Sequence, residues 1–153
     1  MGAPCLLTCW NDSNKMTEAY RHPSIECFVV QHPWMENDCL FADLILPVST
    51  KFEESDIATD IMGGSYSLIF REEQCIEALG ESYSHYEVVC KVAERLGLLE
   101  PYTGGKTVEE LVEIGFANSG VENMLSYDEF KKKGYFVVPT DPDWQKHPAG
   151  LRE

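Results

Sequence analysis

A dense group of polar side chains follows the apolar run at residues 25–30, where the chain would leave a buried strand. The group combines amide, imidazole, indole and carboxyl side chains: Gln31, His32, Trp34, Glu36 and Asn37. The neutral members of the group, which are the amides, the imidazole and the indole, can hold a polar or anionic ligand by hydrogen bonds. The alternative is an ordinary surface loop in which Trp34 is only a hydrophobic lid.

Two further loops contain candidate ligand residues. The stretch at 10–14 (WNDSN) supplies three of them: Asn11, Ser13 and Asn14. These side chains either cap the turns of their own loop or contact a ligand. Asp43 is expected to fix its loop through hydrogen bonds to the backbone. Thr50 and Glu53 could help to close a ligand crevice formed by these loops.

Two short apolar runs, at residues 25–30 and 44–46, would position these loops. Both lack alternation, which is typical of strands that are covered on both faces of a parallel sheet. Open α/β sheets bind ligands at the carboxyl ends of their strands, so the polar loops after both runs predict one ligand crevice. A generic sheet core between two surface loops is the alternative.

Composition limits the partners of the chain. A net charge of −14 over 153 residues argues against non-specific binding to nucleic acids or acidic membranes. No apolar run reaches the ~20 residues of a membrane helix.

Six cysteines without a C-x-x-C pair predict reduced thiols in a cytoplasmic protein. The spacing of His22, His85 and His147 assembles no catalytic triad or metal cluster, and we expect these residues to be surface or capping residues.

The remaining pattern predicts an α/β fold. We expect a strand at residues 5–10, helical turns at 15–21, a brief extended piece at 56–62 and a turn at Gly63-Gly64. Further strands are predicted at 65–70 and 135–138. Three helices have readable starts, because a Ser or Thr is followed three residues later by Glu in a capping box: Ser84, Thr107 and Ser126.

The predicted architecture is a short, mainly parallel, Rossmann-like sheet with flanking helices and a helical C-terminal extension. Residues 1–80 would form an α/β dinucleotide-binding part, and residues 81–139 a helical extension of the same domain. Residues 140–153 hold two prolines and no periodicity, which predicts a linker-like tail.

The loop and strand residues also resemble a known family. Val29-Val30-Gln31, Trp34 and the block at 42–47 (ADLILP), followed by Glu53 or Glu54, are similar to a V-V-Q-D, aromatic, A-D-V-V-L-P pattern. This pattern belongs to the catalytic subunits of the dimethyl sulfoxide reductase family. Looser similarity continues at 87–97, 107–111 and 126–134. Within the family, residues 32–54 are similar to the pyrogallol–phloroglucinol transhydroxylase branch.

The resemblance implies a cofactor. Members hold molybdenum or tungsten on two molybdopterin guanine dinucleotides (bis-MGD), and this segment would bind one guanosine half. Ten residues are implied as cofactor contacts: Asn11, Ser13, Asn14, Gln31, His32, Trp34, Glu36, Asn37, Asp43 and Thr50. Two departures from the family pattern are His32 in place of aspartate and Asp12-Ser13 in place of glycines.

The family's metal ligand and iron–sulfur cysteines lie upstream in the resemblance, so no catalytic residue or metal ligand is expected here. The chain is interpreted as a segment of a larger oxidoreductase or hydroxyl-transferring subunit, inert alone. Its partners would be the remaining domains and an iron–sulfur electron-transfer subunit. The alternative is an acidic α/β interaction module that docks a partner subunit without catalysis.

Overall fold

The computed structural model describes residues 6–59, 67–139, 142–143 and 146. The helices are α1 (Leu6–Cys9), α2 (Ser13–Tyr20), α3 (His85–Arg95), α4 (Leu99–Thr103), α5 (Val108–Ala117) and α6 (Tyr127–Lys133). A 3-10 helix spans Asn37–Phe41, and the strands are β1 (Val29–His32), β2 (Leu44–Pro47), β3 (Asp56–Thr59), β4 (Ser67–Glu72) and β5 (Tyr135–Val138). The turn predicted at Gly63-Gly64 and most of the tail predicted at 140–153 lie outside the described residues.

The chain divides into two compact units. One comprises Met1–Glu54 and Gln74–Gly105, and the other comprises Ser55–Glu73 and Lys106–Glu153. The first unit contains β1, β2 and helices α1 to α4, and the second contains β3, β4, β5, α5 and α6. Each unit combines segments from both sides of residue 80, and the functional division at that residue stays a prediction.

The first unit is built on a parallel pair of strands. β1 pairs with β2 so that Val29 faces Leu44 and His32 faces Pro47. This arrangement confirms the parallel pairing expected from the two apolar runs. Burial is less complete than predicted, because Val30 is 5% exposed whereas Val29 and Leu44 are 45% and 49% exposed.

Two predictions about the sheet are wrong. The run expected as a strand at 5–10 contains the helix α1 over Leu6–Cys9, and short apolar runs do not distinguish a strand from a buried helical turn. The sheet is also not mainly parallel, since three of the five described strands form a separate antiparallel sheet. The fold is therefore a mixed α/β arrangement with one short parallel sheet and one antiparallel sheet.

The second unit packs two helices on that antiparallel sheet. β4 lies between β3 and β5, with Ala58 opposite Phe70 and Ile69 opposite Phe136. Its core consists of side chains from β4, α5, α6 and the loop between the two helices: Ile69, Phe116, Val121 and Phe130. The rings of Phe116 and Phe130 stack with centroids 4.9 Å apart.

All three predicted capping boxes are present. In each, the Ser84, Thr107 or Ser126 side chain accepts a hydrogen bond from the Glu amide three residues on, and that Glu carboxylate accepts from the cap amide. Gly97 and Gly134 follow α3 and α6 with positive φ, as expected of glycines that end helices. Helix α4 was not predicted, because it has only five residues and contains Pro101.

The capping box of α5 gives a direct test of local sequence control. We expect Thr107→Ala to lower the free energy of unfolding by about 1 kcal/mol, because the Glu110 amide loses its acceptor. Thr107→Ser keeps the hydroxyl and is the matched control, with a loss of only a few tenths of a kcal/mol expected. Urea denaturation followed by circular dichroism measures both. Equal losses in the two variants would contradict a capping role for the hydroxyl.

Candidate functional site

The carboxyl ends of β1 and β2 lie side by side at one edge of the parallel sheet. His32 and Pro47 are register partners, so the loops at 33–43 and 48–54 leave this edge together. Five of the ten predicted contacts lie at the end of β1 or in the loop that follows: Gln31, His32, Trp34, Glu36 and Asn37. The structure thus brings the main polar loop and the loop that carries Thr50 to one edge.

The start of α3 lies at the same edge. Val48, the residue after β2, forms a parallel bridge with Tyr83, and the Ser49 amide donates to the Tyr83 carbonyl oxygen over 2.9 Å. His85, the first residue of α3, contacts Gln31, with 2.9 Å between its Nδ1 and the Gln31 Oε1. The sequence assigned His85 only a surface or capping role. Its position directly after a capping Ser was the one available signal, and its partner is 54 residues away.

The loop after β1 is organised by His32. Its Nδ1 lies 3.0 Å from the Trp34 carbonyl oxygen and 3.3 Å from the Trp34 amide nitrogen. The ring is held through Nδ1, so Nε2 is the nitrogen able to meet a ligand. Trp34 is 61% exposed, and Glu36 caps the 3-10 helix without using its side chain. Asn37, the first residue of that helix, is exposed.

A buried carboxylate joins this loop to the start of the chain. Asp38 is 1% exposed, and its Oδ1 accepts from the Leu7 amide over 3.0 Å. The Leu7 carbonyl oxygen accepts in turn from the Ser13 hydroxyl over 2.8 Å. The backbone of Leu7 therefore connects the 3-10 helix with the loop at 10–14. Asp38 has no local sequence pattern that marks it as buried, and its role could not be predicted from the sequence.

In the loop at 10–14, some of the polar groups form hydrogen bonds within the protein. The Ser13 hydroxyl is used by Leu7, and Asp12 adopts a left-handed conformation with φ 66° and caps α2 by accepting from the Lys15 amide. Asn11 and Asn14 are exposed. Asn11 lies in the loop itself and Asn14 in the first turn of α2, and Asp12 and Ser13 between them are exposed as well.

Asp43 and Thr50 are both engaged within the protein. The Asp43 Oδ2 accepts over 2.7 Å from the amide of Phe28, the residue before β1. This is the backbone role that the sequence predicts for Asp43. The amide and hydroxyl of Thr50 both donate to the Glu53 Oε2, over 2.6 and 2.7 Å. Thr50 therefore shapes the loop after β2 instead of offering its hydroxyl to solvent.

Glu53 is the anchor of that loop. It is 7% exposed, and its Oε1 accepts from the Leu79 amide over 2.8 Å. The hydrogen bonds from Thr50, and then the one from Leu79, lower the pKa of the Glu53 carboxyl below its usual 4.5, because they stabilise its charged form. The carboxylate thus ties the residues after β2 to the segment that leads to α3.

This lowered pKa predicts an acid-sensitive loop. The stability contributed by Glu53 is complete above the pKa of the unfolded chain and is lost as the pH falls through the lower folded-state value. We expect Glu53→Gln to lower the melting temperature at neutral pH and to flatten its decline below pH 4.5. Differential scanning calorimetry across this range measures both effects. Glu26→Gln, an exposed carboxylate of the same unit, is the control. An unchanged acid-side slope in Glu53→Gln would contradict the assignment.

The described residues contain no group of three or more His, Cys, Asp or Glu side chains that could hold a metal ion. In the same part of the chain, no helix is long and apolar enough to cross a membrane. The groups at this edge include amides, an imidazole, backbone N–H and C=O groups and the exposed indole of Trp34. They can bind and orient a polar ligand.

The chain matches a known protein family. Residues 4–95 match the family model for molybdopterin oxidoreductases. The chain belongs to the molybdopterin oxidoreductase family. The family resemblance predicted from residues 29–54 is thereby confirmed.

Named relatives agree with the family model. The chain is 36% identical over 147 residues to the pyrogallol hydroxytransferase large subunit of Pelobacter acidigallici, covering 90% of this chain and 17% of the relative. It is 30% identical to dimethyl sulfoxide reductase DmsA of Escherichia coli, covering 86% and 17%. It is also 30% identical to trimethylamine-N-oxide reductase of Vibrio cholerae, covering 89% and 17%. The likeness to the transhydroxylase branch is confirmed, and the chain spans about 17% of the length of these relatives.

Proposed function

We propose that this chain is a segment of a molybdopterin-dependent catalytic subunit and that it binds the guanosine half of a molybdopterin guanine dinucleotide. The observation that carries the proposal is the shared edge of β1 and β2, where two polar loops and the start of α3 meet. Ligands of open α/β sheets bind at such carboxyl edges. The family membership supplies the class of ligand.

The residues at the edge fit a nucleotide better than they fit a metal. At this edge, Gln31 carries an amide group that can both donate and accept, which suits a guanine edge or a ribose hydroxyl. Asn11 and Asn14, near the loop at 10–14, carry the same group. The Nε2 of His32 can accept from a ribose hydroxyl, the role that an aspartate would fill in relatives. The exposed indole of Trp34 offers a flat surface to a base. Asp43, Ser13 and Thr50 would act by shaping these loops, since their side chains bind within the protein.

The reactive chemistry would belong to the bound cofactor, whose molybdenum or tungsten centre supplies redox or hydroxyl-transfer reactions. This chain would contribute binding and orientation of the nucleotide end, and alone it would be inert. Its partners would be the remaining domains of the subunit and an iron–sulfur electron-transfer subunit. The similarity to the pyrogallol hydroxytransferase large subunit favours an aromatic polyol as the substrate of the whole enzyme.

Nucleotide titration tests this function. We expect guanosine diphosphate to shift the backbone amide resonances of residues 11–14 and 31–37 in ¹⁵N-labelled protein, and Gln31→Leu to weaken binding. Gln74→Leu, an exposed position of the same unit, is the matched control and should bind as the wild type does. Adenosine diphosphate tests the preference for guanine. Shifts elsewhere, or none at saturating nucleotide, would contradict the proposal.

A second candidate function has one observation in its favour. Helices α3 and α4 border an open apolar hollow of about 360 Å³, lined by Val89, Val92, Ala93, Leu96, Leu98, Pro101 and Tyr102. Several of these side chains are well exposed, including Leu96 at 67%. An acidic interaction module that docks a partner subunit would use such a surface. If a partner subunit binds in the absence of nucleotide and Leu96→Asp abolishes that binding, this candidate function is favoured.

A further inference from the structure

The contact between Gln31 and His85 bears on the orientation of the Gln31 side-chain amide. An amide oxygen such as the Gln31 Oε1 can only accept, so a hydrogen bond to the His85 Nδ1 at 2.9 Å requires the tautomer in which Nδ1 carries the proton. Both N–H groups of the Gln31 amide are left for other acceptors. We propose that His85 is a positioning residue that holds this amide with its donors turned toward the ligand at the β1–β2 edge. The inference rests on the proposed function and deepens it.

His85 is well placed to impose this orientation. It is the first residue of α3, directly after the cap Ser84, whose amide donates to the Glu87 carboxylate over 2.7 Å. The preceding residue, Tyr83, is itself bound to the end of β2 through the Ser49 amide. The imidazole therefore projects from a helix start that is fastened to the same sheet edge as Gln31.

The orientation matters because of the charge of the chain. With a net charge of −14, the chain offers few cations to an anionic ligand, so neutral donors such as the Gln31 amide gain importance. An amide in the reverse orientation would present its oxygen to the ligand and repel a phosphate oxygen or the guanine O6. With His85 donating to that oxygen, Gln31 selects a ligand group that accepts hydrogen bonds. The two sources of such a group are the pyrophosphate and the base.

Spectroscopy on the unliganded chain tests the orientation. Long-range ¹H–¹⁵N spectra should place the His85 proton on Nδ1 in the neutral ring. His85→Leu should move the Gln31 side-chain NH₂ resonances, whereas His85→Asn, which keeps an N–H donor near the position of Nδ1, should leave them close to the wild type. His22→Leu is the control, because the Nδ1 of His22 bonds to Ser24 and not to Gln31. A proton on Nε2, or the same Gln31 resonances in all variants, would overturn the proposal.

Titrations then test the link to the ligand. We expect His85→Leu to bind guanosine diphosphate roughly tenfold more weakly, the loss of about one well-placed hydrogen bond, with His85→Asn restoring the affinity. Guanosine alone and inorganic pyrophosphate show which part of the ligand moves the Gln31 NH₂ resonances. Equal affinity in His85→Leu and wild type would overturn the positioning role. If no probe shifts residues 31–37 in the wild type, the proposed function fails and the ligand part of this inference fails with it, while the unliganded spectra still decide the amide orientation.

Discussion

Replacing Phe130 by alanine is expected to lower the free energy of unfolding by about 3–5 kcal/mol, the typical cost of removing a fully buried phenyl ring. Phe130 is 0% exposed and stacks on Phe116 at 4.9 Å in the core of the second unit. Small domains are stable by only about 5–15 kcal/mol, so this single change removes a large part of the stability of the unit. Urea denaturation followed by circular dichroism measures the loss.

The destabilisation caused by Phe130→Ala should be located in the second unit. Amide hydrogen exchange should accelerate at Ile69 and Phe136, which belong to strands packed against the ring. Phe52→Ala makes the same chemical change at a side chain that is 67% exposed, and we expect it to cost no more than about 0.5 kcal/mol. Similar losses in the two variants would show that Phe130 is not a core residue of this unit.

Features that depend on neighbouring residues could be predicted from the sequence. The capping boxes at Ser84, Thr107 and Ser126 each need only a Ser or Thr and a Glu three residues later, and the structure contains all three. The apolar runs that became β1 and β2 were also recognisable. Local hydrogen bonds and hydrophobic patterns determine these elements, so the sequence contains enough information to find them.

Features that depend on distant pairings could not be predicted in the same way. The individual strands β4 and β5 were expected, but nothing local shows that Ser67 pairs with Val138 in an antiparallel sheet. The error at α1 has a related cause, because Leu7 is held by Asp38, 31 residues away. Contacts between remote segments decide whether a short apolar run becomes a strand or a helix.

The same distinction between local features and distant contacts applies to the candidate site. The polar loop at 31–37 was recognised from its residue types and from the strand before it, and the structure places this loop beside the one after β2. The residues that hold the loops in place were missed or only partly recognised. Asp38 and His85 each act through a partner more than 30 residues away. Sequence patterns identify the exposed polar groups of such a site more readily than the buried groups that orient them.

Asp38→Ala is expected to lower the free energy of unfolding by about 3 kcal/mol, since it leaves two partly buried donors without their charged acceptor. The Asp38 carboxylate accepts from the Leu7 amide at 3.0 Å and from the Tyr20 hydroxyl at 3.3 Å. Tyr20 in turn stacks on Phe28 with ring centroids 4.9 Å apart. Removing the carboxylate therefore loosens α1, α2 and the 3-10 helix together.

Two conservative variants separate the contributions of this cluster. Asp38→Asn keeps an acceptor for Leu7, and Tyr20→Phe keeps the ring stack but removes the hydroxyl, so each should cost about 1 kcal/mol. Burial, followed by the nearby Asp38 carboxylate, raises the pKa of Tyr20 above its usual 10.0. The stability linked to the neutral phenol is present below that pH and is lost as the pH rises through the higher folded-state pKa. This alkaline loss should disappear in Tyr20→Phe.

Asp38 also connects stability to the proposed function. The carbonyl of Leu7 accepts from Ser13, so Asp38→Ala releases the loop at 10–14 from the 3-10 helix that follows the main polar loop. If a guanine nucleotide contacts both loops, its affinity should fall in Asp38→Ala under conditions where the protein remains folded, and Asp38→Asn should recover most of it. Wild-type stability in Asp38→Ala would show that this carboxylate does not hold the segments together. Reduced stability with unchanged nucleotide affinity would instead restrict the ligand to the edge formed by β1, β2 and α3.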